Sequence, residues 1–98
     1  MANLIVTFGK SLGGKLEYGP DARTELVAIG GGHEESTLES LSSEDVMTVY
    51  AEADCWYAIG VNPDAEAAQV GANRRFLAEG KDRQFTIGRN MRVSVTAT

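Results

Sequence analysis

The sequence predicts an all-β protein, an antiparallel β-sandwich or jelly-roll-like fold of seven or eight short strands. Glycine is abundant, with 11 residues against 2 prolines in a chain of 98, which indicates many turns. Apolar runs rich in Val, Ile, Thr and aromatic residues recur roughly every 8–12 residues, the spacing of strands in two packed sheets. A chain of this length has room for one core, so we expect a single domain over residues 1–98.

The first half contains the weaker strand signals. Residues 4–8 form an apolar, β-branched run that predicts a strand, and residues 15–18 predict a second short one before the turn at Pro20 and Asp21. Residues 26–29 form another apolar run, which ends at three consecutive glycines. A weak candidate strand over residues 36–41 is centred on Leu38.

The second half contains the stronger signals. Residues 46–51 and 55–59 predict two strands joined by a tight turn at residues 52–54. Residues 84–87 and 91–97 alternate apolar and polar side chains, and the turn residues 88–90 between them predict a hairpin. The alternation predicts these inward-facing positions: Met47, Val49, Tyr57, Ile59, Phe85, Ile87, Val93 and Val95.

Two segments also fit a helix. Ser42 and Asp45 resemble a capping box before apolar residues at helical spacing, but the Val, Thr and Tyr content of residues 46–51 favours a strand. Asn62 and Pro63 fit the start of a short connecting helix that would run to residue 71.

Charge and composition exclude several partner classes. The 9 basic and 14 acidic residues give a net charge of −5, which disfavours nucleic acid, and no aromatic platform is interleaved with the C-terminal arginines. The single cysteine, Cys55, excludes an internal disulfide and fits folding in a reducing cytoplasm. No signal segment is visible, and no apolar run is long enough for a membrane span.

No residue constellation predicts catalysis, a metal or a cofactor. His33 is the only histidine, and Thr37 stands where H-E-x-x-H needs a second. Gly9-Lys10-Ser11 resembles the end of a phosphate-binding loop, but Leu4 replaces the first glycine and no helix pattern follows. Cys55 lies in an apolar run without a nearby histidine, so we expect an inert thiol and no enzyme.

Residues 54–60, Asp-Cys-Trp-Tyr-Ala-Ile-Gly, and the following Asn62-Pro63-Asp64-Ala65 resemble a hairpin of small virion proteins of tailed bacteriophages. Residues 75–80, 84–87 and 91–95 extend the resemblance, which covers residues 46–98. Ala78-Glu79 departs from the family's Pro-Ala, which predicts a looser turn there.

The resemblance implies a structural protein, a capsid decoration (cement) protein made in the host cytoplasm and located on the capsid surface of the virion. Its implied partners are the major capsid protein and further copies of itself in a symmetric homo-oligomer such as a trimer. Aromatic and arginine residues are common interface anchors, so the candidate interface residues are Trp56, Tyr57, Arg74, Arg75 and Phe76.

Two other functions remain open. A carbohydrate- or cell-surface-binding module of a phage fibre or tail would use Trp56 with Asp54 or Asp64. A small enzyme would depend on His33.

Overall fold

Eight β-strands make up the regular structure of the computed structural model, which describes residues 2–11, 22–30, 32, 34–65 and 74–98. The described part contains no helix, so the prediction of an all-β sandwich is confirmed. The strands are β1 (Asn3–Gly9), β2 (Arg23–Ala28), β3 (Glu34–Glu35), β4 (Val46–Ala51), β5 (Cys55–Gly60), β6 (Arg74–Leu77), β7 (Asp82–Thr86) and β8 (Arg92–Ala97).

The strands form two antiparallel sheets of four. The first sheet has the order β2-β1-β4-β7 and the second the order β3-β8-β5-β6. The antiparallel pairs are nested: β5 pairs with β6, β4 with β7, and β3 with β8. A long hairpin that is rolled over itself gives this nesting of pairs, which is the chain path of a jelly roll. β1 completes the first sheet and lies between β2 and β4.

The core lies between the two sheets and is built by alternation along each strand. Leu4, Val6 and Phe8 of β1 face Met47 and Val49 of β4 on the same inner surface, and all five are completely buried. The predicted inward positions are all in or against this core. Met47, Val49, Tyr57, Val93 and Val95 are buried, and the partly buried residues packed on them are Ile59, Phe85 and Ile87.

The strand predicted over residues 46–51 is confirmed, and its helical alternative is wrong. The predicted turns at residues 52–54 and 88–90, however, each connect strands of different sheets. β4 and β5 lie in opposite sheets, and so do β7 and β8, so neither pair forms a hairpin. In the first of these turns, the polar residues bind segments that are distant in sequence. The Glu52 carboxylate accepts a hydrogen bond from the Asn3 amide, and the Asp54 carboxylate accepts one from Glu79.

Residues 36–40 continue from β3 along the same edge of β8, but they do not form a regular strand. The amide of Ser36 donates to the Val93 carbonyl, and its hydroxyl accepts from the Val93 amide. Ser40 makes the same two bonds with Met91. The weak strand predicted over residues 36–41 is therefore wrong, because serine hydroxyls replace half of the ladder that main-chain carbonyls would form.

Three expectations remain: a strand at residues 15–18, a helix after Asn62 and a loose turn at residues 78 and 79. The strand predicted at residues 15–18 lies outside the described residues. So does most of the helix predicted after Asn62, and residues 62–65 are not helical. The turn between β6 and β7 is closed by the Lys81 amide bonding the Ala78 carbonyl, with Gly80 at a φ of 78°. A left-handed glycine at that position is typical of a type II turn, which needs no proline.

Candidate binding face

The outer face of the second sheet presents two aromatic rings and a guanidinium in contact. Trp56 on β5 and Phe76 on β6 are directly opposite in the strand register, and their rings meet edge to face with centroids 5.7 Å apart. The guanidinium carbon of Arg74 lies 4.2 Å from the centre of the indole. We call Trp56, Phe76 and Arg74 the aromatic–arginine cluster.

Phe76 is the exposed member of the cluster, and Trp56 and Arg74 are half-buried. Another part of the same face is covered: Ala65, which is fully buried, donates its amide to the Ser94 hydroxyl at 2.9 Å. Ser94 and its register partner Ala58 are buried although they point away from the core. Phe76 lies beyond this cover and is 48% exposed.

The geometry fixes Arg74 in place. Its Nη1 donates to the Ala65 carbonyl at 3.5 Å while the guanidinium lies over Trp56. Cation–π contacts of this kind are worth about 0.5–1 kcal/mol at exposed sites. An arginine held between a ring and a carbonyl loses little further entropy on binding, which suits it to an interface.

Three of the five predicted interface residues thus come together, and two do not. Tyr57 is the neighbour of Trp56 but points into the core, where it is 2% exposed. Arg75 pairs with Tyr57 in the register and points to the same inner side, with its guanidinium carbon 6.0 Å from the ring centre of Phe85. Alternation along β5 and β6 causes this separation.

The outer face of the first sheet has an apolar strip without a guanidinium. Leu26, Ile5 and Tyr50 are successive partners across β2, β1 and β4. Leu26 is 60% exposed and Tyr50 41%. Sequence reasoning did not select this strip, although the same alternation rule could have found it. It has no arginine among its cross-strand partners and provides a control surface.

Cys55 and the Gly9-Lys10-Ser11 segment, which were considered for chemistry, take part in the packing and hydrogen bonding of the fold. Cys55 is completely buried, and burial raises the pKa of its thiol to about 11. In Gly9-Lys10-Ser11, the Ser11 amide and hydroxyl both donate to the Asp45 carboxylate, at 2.7 and 2.8 Å. These bonds hold the pKa of Asp45 below its ordinary value. Ser11 therefore ties the end of β1 to the start of β4.

His33, the one histidine of the sequence, lies outside the described residues. Residues 2–11, 22–30, 32, 34–65 and 74–98 contain no group of three or more His, Cys, Asp or Glu side chains placed to share a metal ion. No helix that could cross a bilayer occurs in the same residues.

The chain was also compared with known proteins. No protein-family model, no curated protein and no solved structure matches it.

Proposed function

We propose that this protein is a structural virion protein of a tailed bacteriophage, a capsid decoration protein that binds the major capsid protein through the aromatic–arginine cluster. The observation that carries the proposal is the contact of Trp56, Phe76 and Arg74 on one exposed face. Tryptophan and arginine are the residues most enriched at interface hot spots. The protein acts through this surface and not through turnover of a substrate.

The partner class comes from the resemblance of residues 46–98 to small virion proteins. Those residues include β4 to β8 and all three cluster residues. The fold is compatible with that role, because jelly-roll domains are common among virion proteins.

Assembly with further copies is part of the proposal. β6 and β7 are the edge strands on one side of the sandwich, each with one partner strand among the described residues. An open edge can pair with a neighbouring copy or be covered by one. A symmetric homo-oligomer such as a trimer would use these edges and leave the cluster facing the capsid.

The test is a binding measurement on undecorated capsids of the cognate phage. Purified protein is mixed with the capsids, and bound protein is quantified after sedimentation across a concentration series. We expect saturable binding at a fixed number of copies per capsid. Because hot-spot truncations cost about 2 kcal/mol or more, Trp56→Ala and Phe76→Ala should each weaken binding at least tenfold.

The matched control is Tyr50→Ala, which removes an aromatic side chain of similar exposure from the outer face of the other sheet. It should bind as the unchanged protein does. Absence of saturable binding to capsids, or equal losses for Tyr50→Ala and Phe76→Ala, would contradict the proposal.

A carbohydrate- or cell-surface-binding module is the second candidate, because an accessible indole is the group that stacks on a sugar ring. In this structure the guanidinium of Arg74 already lies over the indole, and the Asp54 carboxylate binds the Glu79 amide. A glycan array distinguishes the two functions. Binding to defined glycans that Trp56→Ala abolishes, with capsid binding retained, would favour this candidate.

A further inference from the structure

A small pocket opens between the two sheets on the side formed by β6 and β7. It has a volume of about 150 Å³. Most of its wall is apolar, and the side chains that line it are Tyr57, Ile59, Arg75, Phe85, Thr86, Ile87 and Met91. An apolar cavity of this size is sufficient to hold a benzene ring.

One arginine lines the pocket, and a second lies outside its wall on the inner side of the other sheet. Arg75 on β6 lines the pocket and is the register partner of Tyr57. Arg83 on β7 is the register partner of the buried Val49, and alternation places it on the same side of the strand as the pocket residue Phe85. Both guanidinium groups interact electrostatically with the Tyr57 phenol. The pocket therefore combines an apolar wall with one guanidinium in the wall and a second positive charge nearby.

Neither guanidinium forms an ion pair with a carboxylate of the described residues. In that part of the chain, the ion pairs are those of Arg23 with Glu44 and of Arg92 with Glu35 and Glu39. Arg75 instead contacts the Phe85 ring, and Arg83 donates to the Asp82 carbonyl. Two arginines that have no carboxylate partner among the described residues, near a hydrophobic cavity, favour an anionic ligand with an apolar body.

We propose that this pocket binds a small monocarboxylate with a compact aromatic or branched aliphatic body, of the size of benzoate. The ring or branched chain fills the space against Phe85, Ile87 and Met91. The carboxylate lies at the mouth, between Arg75 and Arg83, where the Tyr57 hydroxyl can donate a hydrogen bond. This site is on the inner side of β6, whereas the aromatic–arginine cluster is on its outer side, so ligand binding here does not use the surface proposed to bind the capsid. The pocket opens at the β6 and β7 edges that the proposed oligomer would use, so ligand binding requires those edges to be accessible.

The experiment is an NMR titration of the ¹⁵N-labelled protein at constant ionic strength. Sodium benzoate is compared with benzamide, which has the same ring without the charge, and with sodium acetate, which has the charge without the ring. We expect saturable shifts for benzoate, largest at the amides of Tyr57, Arg75, Phe85 and Met91. Benzamide and acetate should bind at least tenfold more weakly.

Variants locate the charge contacts. Arg83→Gln and Arg75→Gln should each weaken benzoate binding at least fivefold, while Arg89→Gln, which changes an exposed arginine of the turn before β8, should leave it unchanged. Benzoate binding no tighter than benzamide, shifts that map away from the pocket, or no saturation would each overturn the proposal. If Arg75→Gln fails to fold, the comparison of the three ligands on the unchanged protein and the Arg83→Gln variant still decide it.

Discussion

The guanidinium of Arg23 binds the carboxylate of Glu44 through two hydrogen bonds, of 2.8 Å from Nε and 2.6 Å from Nη2. The Glu44 side chain is 7% exposed and that of Arg23 31%, so the pair is partly withdrawn from water. Arg23 also donates to the Glu39 carbonyl, and the same Glu44 carboxylate accepts from the Leu41 amide. The pair thus fastens residues 39–44 to the edge of the first sheet.

We expect Arg23→Ala to reduce the free energy of unfolding by about 1–3 kcal/mol, because it leaves a nearly buried carboxylate without its cation. Urea unfolding at pH 7 measures the loss. The matched control is Arg92→Ala, whose partners Glu35 and Glu39 are more exposed. It should cost less than about 1 kcal/mol. An equal or larger loss for Arg92→Ala would contradict the burial argument.

Acid should destabilise the protein by protonating the carboxylates of Glu44 and Asp45. The hydrogen bonds from Arg23 hold the pKa of Glu44 below its ordinary value of 4.5, and the bonds from Ser11 lower that of Asp45. A lowered folded-state pKa means that this stabilisation is present above the ordinary value and is lost as the pH falls through the folded one.

Unfolding midpoints in urea should therefore be nearly constant from pH 7 to pH 5 and should fall below about pH 4.5. The variant Glu44→Gln should show a shallower fall over the same range, because it lacks one of the two responsible groups. Parallel acid profiles for the variant and the unchanged protein would exclude Glu44 as a cause.

Ser40 should be the most sensitive of the loop serines. Its hydroxyl donates to the Gly88 carbonyl at 2.6 Å and accepts from the Met91 amide at 2.9 Å, and the residue is 1% exposed. Ser40→Ala removes both of these hydrogen bonds, so we expect a loss of about 1–3 kcal/mol and faster hydrogen exchange at the Met91 amide. Ser42→Ala, at an exposed position of the same loop, should change stability by less than about 0.5 kcal/mol.

Cys55 should be unreactive while the protein is folded. The thiol is fully buried, and burial raises its pKa to about 11, so the thiolate that attacks a disulfide reagent is scarce and inaccessible at pH 8. We expect no labelling by Ellman's reagent in buffer and complete labelling in urea. Rapid labelling in buffer would show that the second sheet opens near Cys55.

The same thiol predicts a loss of stability in alkali. Its folded pKa is raised, so the contribution is complete below the ordinary value of 9.0 and is lost as the pH rises toward 11. Cys55→Ala should remove this part of the alkaline decline. Comparison of urea midpoints at pH 8 and pH 10.5 for the two proteins measures it.

Alternation and β-branched content predicted the main strands and the inner face, since both depend on neighbours along the chain. The pairing of the strands within the two sheets was not predicted. Polar residues at 52–54 and 88–90 have the composition of hairpin turns, but a turn composition is the same whether the next strand lies beside the previous one or above it. The partners of Glu52 and Asp54 are distant in sequence, on Asn3 and Glu79, and only the folded chain brings them close.

The candidate face was predictable in part. Alternation placed Trp56 and Tyr57 on opposite faces with Tyr57 inward, and the burial of Tyr57 confirms this prediction. It could not show that Trp56 would lie opposite Phe76, because that pairing depends on the register of β5 and β6. The pocket was not predictable, because its wall combines Tyr57 and Arg75 of the second sheet with Phe85 of the first.

The nesting of the strand pairs has a consequence for how quickly the chain can fold. β5 and β6 close a short loop, but each outer pair joins segments that are farther apart, and the Ser36 hydroxyl meets the Val93 amide across 57 residues. Each closure costs conformational entropy before the contacts that it permits have formed, so a topology dominated by distant pairs folds slowly. During that time the edges of β6 and β7 are open to other unfinished chains. The yield of refolded protein should therefore depend on the concentration at which the chains are allowed to fold.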